Sequence, residues 1–230
     1  MNIATTKLTP MLKQYLEIKE QYQDCLLFYR MGDFYEMFFE DAVLGSKILG
    51  ITLTSRNKKS DPAQVPMCGV PYHAVQTYLA KVIKAGQRVA ICEQVEDPAQ
   101  AKGIVKREVV RVVSPGVVTD GQLLDEKDNN YLAALSIKEH NGCPLLGLAF
   151  LDVSTGEFLA GEWEKNGQGM QDAADQLSRF SPSELITGTS ESELTPEERD
   201  LLLLGIPNVC VTLREEMDSM RHEDAREILC

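Results

Sequence analysis

An aromatic residue and a carboxylate stand two positions apart in the segment MGDFYEMF (31–38), as Phe34 and Glu36. Gly32 and Asp33 interrupt the pattern just before them, so we expect the pair on a short loop between a strand and a helix. From such a junction the ring and the acid can project outward together, one able to stack and the other to accept a hydrogen bond. The alternative is structural: Phe34 then packs at the start of the helix, and Glu36 is a first-turn acid favoured by the helix dipole.

A second candidate for chemistry is a group of carboxylates, Asp152, Glu157 and Glu162. Ribonuclease-H-like nucleases hold two metal ions with an aspartate on the first strand and further carboxylates nearby. The first strand predicted here, YLAALSI (131–137), has no acidic residue, and Asp152 opens a sequence typical of a turn. A metal-dependent nuclease is therefore the less favoured alternative, and it requires Asp152 and Glu162 to share a site.

Other catalytic patterns are absent from the sequence. It contains no P-loop, no G-x-S-x-G and no H-E-x-x-H. The six cysteines form no C-x-x-C pair and the three histidines are far apart, so we expect no metal, no cofactor and no enzyme activity. No apolar run could span a membrane and no signal peptide is recognisable, which predicts a cytoplasmic chain with reduced, mostly buried cysteines.

Hydrophobic patterns predict an α/β domain in the first half. Thr9-Pro10 begins a helix, CLLFYR (25–30) predicts a strand, and a helical stripe then ends at Gly50. The later patterns predict three strands, an extended segment and a helix. The strands are ITLTSR (51–56), QRVAICEQV (87–95) and KREVVRVV (106–113), the extended segment is VPMCGVP (65–71), and the helix covers 72–84. This order indicates a mixed sheet.

The second half begins with a linker rich in glycine, proline and aspartate, SPGVVTDGQLLDEKDNN (114–130). Three strands separated by short turns follow, which predicts an antiparallel meander, and then helices and strands alternate. This order suits a ribonuclease-H-like domain. We therefore predict two small domains, residues 1–113 and 131–230, the second expected to be truncated.

The net charge of −12 is unevenly distributed. Residues 1–113 contain 15 Lys and Arg against 12 Asp and Glu, a net charge of +3. Residues 114–230 contain 8 against 23, a net charge of −15. The first half can approach a polyanion, whereas the second is better suited to protein contacts.

The first half closely resembles the mismatch-binding domain of the MutS family through most of residues 9–119. Four segments carry this resemblance: FYRMGDFYEMFFEDA (28–42), ITLTSR (51–56), VPMCGVPYHAVQTYLAKVIKAGQRVAICEQVEDP (65–98) and VVRVVSPGV (109–117). The acidic second half is similar to the family's connector domain, which is ribonuclease-H-like but non-catalytic. That likeness is weaker and depends on element order and on DVSTGEF (152–158). The family's core, clamp and ATPase parts have no counterpart here.

The resemblance implies recognition of mispaired or unpaired bases in double-stranded DNA, the first step of mismatch repair. The family's Phe-x-Glu motif corresponds to Phe34-Tyr35-Glu36, so Phe34 would enter the minor groove and stack on the base while Glu36 accepts a hydrogen bond from it. Tyr35, Met37 and Phe38 are expected in the core. Contacts with the DNA backbone are expected from Arg56, which matches a family arginine, from Asn57, Lys58 and Lys59 on charge alone, and from Met67, which could equally be plain packing.

The resemblance also implies partners. The connector domain would dock a MutL-type repair protein, and the full-length protein would be a homodimer that uses ATP and Mg²⁺ in parts missing here. This fragment could be monomeric, with modest and salt-sensitive DNA affinity. It would act in the cytoplasm, associated with the nucleoid.

Overall fold

A computed structural model describes residues 9–55, 64–96, 103–118, 129–188 and 194–213. These residues divide into two compact units, one extending to Pro115 and the other beginning at Gly116. Each unit contains one mixed β-sheet with helices packed against it. The predicted α/β class is confirmed.

Among its described residues, the first unit contains three α-helices and a six-stranded sheet. In chain order these are α1 (Pro10–Gln21), β1 (Cys25–Met31), β2 (Phe34–Phe38), α2 (Phe39–Leu49), β3 (Thr54–Ser55), β4 (Pro66–Pro71), a 3-10 helix (Tyr72–Ala74), α3 (Val75–Lys84), β5 (Arg88–Gln94) and β6 (Arg107–Val113). The strand order is β3-β4-β2-β1-β5-β6. β1 and β5 are parallel, and the other neighbours are antiparallel.

Helices cover both faces of this sheet. On one face, Tyr15 of α1 packs edge-on against Tyr29 and Phe38, with ring centroids 5.4 and 5.1 Å apart. On the other, Gly45 of α2 lies so close to Met37 that a Cβ at this position would be 2.7 Å from the methionine sulfur. Side chains of successive strand residues point to opposite faces, so both faces of β2 are packed at its helical end.

The segment 31–38 is a β-hairpin, and the predicted loop between a strand and a helix is wrong. Met31 and Phe34 are paired, which leaves Gly32 and Asp33 as a two-residue turn. Gly32 has a φ of +56°, which suits the first position of a type II′ turn, the kind that matches the twist of hairpin strands. Gly-Asp between two apolar runs is itself a hairpin signal, which the interpretation as a simple interruption missed.

β2 continues into α2 without a loop. Phe38 ends the strand, and Phe39 begins the helix with a φ of +55°, a left-handed conformation uncommon for a bulky side chain. Gly50 ends the helix, as predicted, and it does so in the left-handed conformation. Of the predicted strand ITLTSR the structure describes residues 51–55, and among these only Thr54 and Ser55 pair with β4.

A buried carboxylate joins α1, β1 and α2. Asp41 Oδ2 accepts hydrogen bonds from the Tyr15 hydroxyl at 2.9 Å and from the Leu27 amide at 3.0 Å. Its other oxygen lies 2.9 Å from Lys19 Nζ. Burial, followed by the negative charge of Asp41, raises the pKa of Tyr15 well above its usual value, so the phenol stays protonated and donates.

The described part of the second unit is a five-stranded sheet with two α-helices, preceded by a 3-10 helix (Pro115–Val117). Its elements are β7 (Tyr131–His140), β8 (Cys143–Asp152), β9 (Glu157–Glu164), α4 (Gly167–Phe180), β10 (Glu184–Thr187), α5 (Pro196–Leu203) and β11 (Cys210–Leu213). The strand order is β11-β10-β7-β8-β9, with β7–β9 antiparallel and β10 parallel to both β7 and β11. The predicted meander is confirmed.

The start of the predicted linker packs against the second sheet. Ser114 and Gly116 are buried, and the Gly116 amide donates to Glu184 Oε2 at 3.1 Å. A Cβ on Gly116 would lie 2.7 Å from Leu132, so only glycine allows this approach. Residues 119–128 of the linker lie outside the described residues.

Four of the five described cysteines are buried, and Cys143 is exposed. Burial raises the pKa of Cys25 and Cys92 to about 12 and that of Cys68 to about 11, so these thiols stay protonated and unreactive. Within the described ranges, no helix is long and apolar enough to cross a membrane.

Asp41→Ala is expected to destabilise the first unit by roughly 3 kcal/mol, because it leaves the Tyr15 hydroxyl, the Leu27 amide and the Lys19 charge without their acceptor. Urea denaturation followed by circular dichroism measures the loss. Glu40→Ala, an exposed acid in the same helical turn, is the control and should change stability by no more than about 0.5 kcal/mol. Equal stability of the two variants would contradict this role for Asp41.

Candidate nucleic-acid interface

The hairpin presents Phe34 and Glu36 on the same face of the sheet. Tyr35, which lies between them, and Met37, which follows Glu36, point to the opposite face and are 4% and 0% exposed. Phe34, next to the turn, is 47% exposed, whereas Glu36 is half-buried. The structural alternative, with Phe34 in the core and Glu36 in the first turn of a helix, is therefore wrong.

Glu36 lies between Tyr29 of β1 and Gly69 of β4, its register partners on either side. A Cβ on Gly69 would lie 3.2 Å from the Tyr35 carbonyl oxygen and 3.5 Å from Glu36 Cγ. Any larger residue would therefore push against the β2 backbone beside the carboxylate. Gly69 leaves the Glu36 side chain room to lie across β4, a role that its local sequence does not indicate.

A buried arginine supports the hairpin from the face that carries Phe34. Arg107 is 8% exposed, and its guanidinium lies 4.9 Å from the centre of the Tyr29 ring. Its Nε donates to the Arg30 carbonyl at 2.7 Å, and Nη2 lies 3.4 Å from the Met31 sulfur. Arg107 was predicted only as part of a strand, since nothing in its local sequence indicates these distant partners.

The core residues predicted around the motif are confirmed: Tyr35, Met37 and Phe38 are all buried. Met67 is half-buried, pairs with Phe38 and packs against the aromatic core of the first unit. Its contact with a DNA backbone stays a prediction. Four further predicted contact residues, Arg56, Asn57, Lys58 and Lys59, lie outside the described residues.

The exposed ring and the half-buried acid form a small two-part surface. Residues two apart on an antiparallel strand are separated by about 6.8 Å, so one flat partner can meet both side chains. The ring offers an apolar face for stacking, and the carboxylate offers acceptor oxygens.

The carboxylates of the second unit do not come together. Asp152 is fully buried, and its Oδ1 accepts hydrogen bonds from the Ser154 amide and hydroxyl at 2.8 and 2.7 Å and from the Thr155 amide at 3.3 Å. Burial alone would raise the pKa of Asp152, but these hydrogen bonds outweigh it and hold the pKa below its usual value. Asp152 therefore stabilises the turn between β8 and β9, as the turn-like sequence that follows it indicates.

Glu162 pairs with Gly147, five residues from Asp152 along β8, so it points to the opposite face of the sheet. Glu157 is next to Asp152 in register but accepts from the Tyr131 hydroxyl at 2.5 Å. No cluster of three metal-binding side chains occurs in the part of the chain that the structure describes. Asp152 and Glu162 thus share no site, which removes the premise of the nuclease alternative.

Comparison with known proteins agrees with this two-part organisation. The family model described as MutS domain I matches residues 9–122, and that described as MutS domain II matches residues 130–228. The chain therefore has the first two domains of a DNA-repair family, in their order. It belongs to the MutS family, as the sequence resemblance predicts.

Relatives named DNA mismatch repair protein MutS come from several bacteria. The protein of Desulforamulus reducens is 53% identical over 179 residues, which cover 78% of this chain and 20% of the relative. Those of Syntrophobacter fumaroxidans and Syntrophomonas wolfei are 53% and 48% identical, covering 84% and 91% of this chain but 21% and 23% of the relatives. The chain thus spans about a fifth of the curated relatives it matches, and no ATPase domain is among the parts matched.

Proposed function

We propose that this chain recognises mispaired or unpaired bases in double-stranded DNA, as the reading part of a mismatch-repair protein. Phe34 enters the minor groove and stacks on the defective base, and Glu36 accepts a hydrogen bond from that base. The observation that carries this proposal is the placement of an exposed ring and a half-buried carboxylate on one face of a strand whose other face is packed in the core. Membership of the MutS family supports it.

The physical basis of recognition is the deformability of the defective site. Inserting an apolar wedge between bases unstacks a step, which costs a few kcal/mol, and kinks the duplex. A mismatch is already poorly stacked and easily bent, so the cost is lower there than at a paired step. Phe34 therefore reads how readily the DNA deforms, not which bases it contains.

The carboxylate of Glu36 gives a second test of the base. A negative side chain near phosphates is repelled unless a base donor or a shared proton satisfies it. In a fully paired step the base donors are already engaged, so Glu36 should weaken binding there. The strand position beside Gly69 favours this role, since it holds the carboxylate of Glu36 two residues after Phe34 on the same face.

Contacts with the DNA backbone in this proposal come from Arg56, Asn57, Lys58 and Lys59, and Met67 shapes the platform beneath Phe34. With a net charge of only +3 in residues 1–113, the affinity should be modest and should fall with salt. The chain acts by binding, without catalysis or cofactor of its own, in the cytoplasm at the nucleoid. ATP, Mg²⁺ and homodimer formation belong to the full-length protein.

The first experiment is a binding titration at low salt with duplexes that contain a G·T mismatch, an unpaired T or full pairing. The unaltered chain should bind the defective duplexes more tightly than the paired one. Phe34→Ala should lower this affinity ratio about tenfold, because stacking of a base on an aromatic ring is worth roughly 1–3 kcal/mol. Phe158→Ala, an equally exposed phenylalanine of the second unit, is the control. If Phe34→Ala bound all three duplexes as the unaltered chain does, Phe34 would not be the wedge.

Glu36→Gln should raise affinity for paired DNA more than for mismatched DNA, because removing the charge removes the repulsion that paired steps cannot relieve. The measured quantity is the ratio of the two dissociation constants, expected to fall by about threefold or more, or roughly 0.7 kcal/mol. Glu40→Gln, an exposed acid on α2, should leave the ratio unchanged. An unchanged ratio for Glu36→Gln would falsify this role.

We also propose that the second unit docks a MutL-type repair partner through β9. Phe158 on this edge strand is 49% exposed and lies on the same sheet face as Glu162 and Glu164, whereas Leu159, which is 37% exposed, lies on the opposite face with Glu157. Exposed apolar side chains with a charged rim are typical of protein contact surfaces. The net charge of −15 in residues 114–230 keeps this unit away from DNA.

Phe158→Asp should weaken binding of a purified MutL-type protein by about tenfold, because a buried contact becomes an unpaired charge. Biolayer interferometry with the immobilised chain measures the change. Leu204→Asp, at an exposed leucine beyond the end of α5, is the control. Equal binding by both variants would place the partner elsewhere.

A further inference from the structure

Both carbonyl groups of the hairpin turn are held by hydrogen bonds. Arg30 Nε donates to the Gly32 oxygen at 2.5 Å, and the Tyr72 amide donates to the Asp33 oxygen at 2.9 Å. Gly32 and Asp33 immediately precede Phe34, so these two bonds fix the segment of backbone from which the ring projects.

The Arg30 side chain is itself tightly placed. Its guanidinium carbon lies 3.9 Å from the centre of the Tyr72 ring and 5.5 Å from that of Tyr35. Nη1 is 3.9 Å from Glu93 Oε2, and the Tyr35 hydroxyl donates to the other oxygen of Glu93. Burial, followed by this hydrogen bond, raises the pKa of Tyr35 to about 12, so the phenol remains a donor. The side chain of Arg30 is 19% exposed.

This cluster lies on the opposite face of the sheet from Phe34. Arg30 and Tyr35 are register partners, and alternation along β2 directs Tyr35 away from the face of Phe34 and Glu36. A base stacked on Phe34 therefore meets none of these side chains. Any effect that they have on recognition must pass through the hairpin turn.

We propose that Arg30, stacked on Tyr72, is a positioning residue that sets mismatch specificity by holding the Phe34 hairpin in its inserting conformation. This inference rests on the proposed function of Phe34. A hairpin that must be ordered during insertion loses binding energy at the defective site, whereas a hairpin that is already ordered does not. Fully paired DNA is bound through phosphate contacts alone, so its affinity does not depend on whether the hairpin is ordered beforehand.

The test compares Arg30→Lys with the unaltered chain, using the same three duplexes over a range of salt. Lysine keeps the charge but cannot reproduce the planar stack together with the Nε hydrogen bond. The mismatch preference should fall by about threefold to tenfold, while affinity for paired DNA and its salt dependence stay constant. Arg179→Lys, which alters a similar arginine-on-ring contact at 5.3 Å from Phe180 in the second unit, is the matched control.

A second pair of variants tests the ring. Tyr72 is 42% exposed, so its replacement should leave the fold intact even if Arg30→Lys does not fold. Tyr72→Phe retains the stack and should keep the preference, whereas Tyr72→Leu should lower it as Arg30→Lys does. Amide hydrogen exchange at residues 33–35, measured without DNA, should be faster in Arg30→Lys and in Tyr72→Leu than in the unaltered chain. It should be unchanged in Tyr72→Phe and Arg179→Lys.

Two results would overturn the inference. Parallel losses of mismatched and paired affinity with a shallower salt dependence would make Arg30 a phosphate contact. If Arg30→Lys changed neither the preference for mismatched DNA nor the hydrogen exchange at residues 33–35, the hairpin turn would not depend on Arg30. The proposed function itself fails if the unaltered chain binds all three duplexes alike, or if Phe34→Ala leaves its preference for defective duplexes unchanged. In that case, faster hydrogen exchange in Arg30→Lys would show that Arg30 and Tyr72 stabilise the hairpin without affecting recognition.

Discussion

Side chains alternate between the two faces along β2, and this constraint determines what the first unit can present. Tyr35 and Met37 fill one face, so Phe34 and Glu36 must emerge together on the other. A shift of one residue in register would bury the pair and expose the core. The two-residue turn at Gly32 and Asp33 and the packing of Phe38 under α1 hold the register from both ends.

Much of the first unit could be predicted, because its buried stripes are regular. The core positions Tyr35, Met37 and Phe38 followed from the sequence, and the family resemblance was confirmed. β2 was missed because this five-residue strand runs directly into a helix, and because Gly32 and Asp33 were interpreted as the start of a loop between a strand and a helix. Gly69 and Arg30 were missed for another reason. Their importance lies in contacts between strands, and a single sequence does not state which strands are neighbours.

The second unit shows the same division. Its meander was predictable from local signals such as Asn141-Gly142, whose φ values of +52° and +79° suit a tight hairpin turn. The buried Glu184 was not, since its oxygens accept from Gly116 and Thr212, which lie far apart in sequence. The nuclease alternative was based on carboxylates that are close together in the sequence. In the sheet, Asp152 and Glu162 face opposite ways.

The loop-free junction at Phe39 has a mechanical consequence. A strand and a helix are usually joined by several residues that can bend, and such a joint absorbs force. Here the backbone passes from β2 into α2 within one residue held at a φ of +55°. A load applied to the tip of the hairpin is therefore carried straight into α2 and the carboxylate that ties it to α1. The strand that carries Phe34 at its tip is thus anchored at its other end in the interior of the first unit.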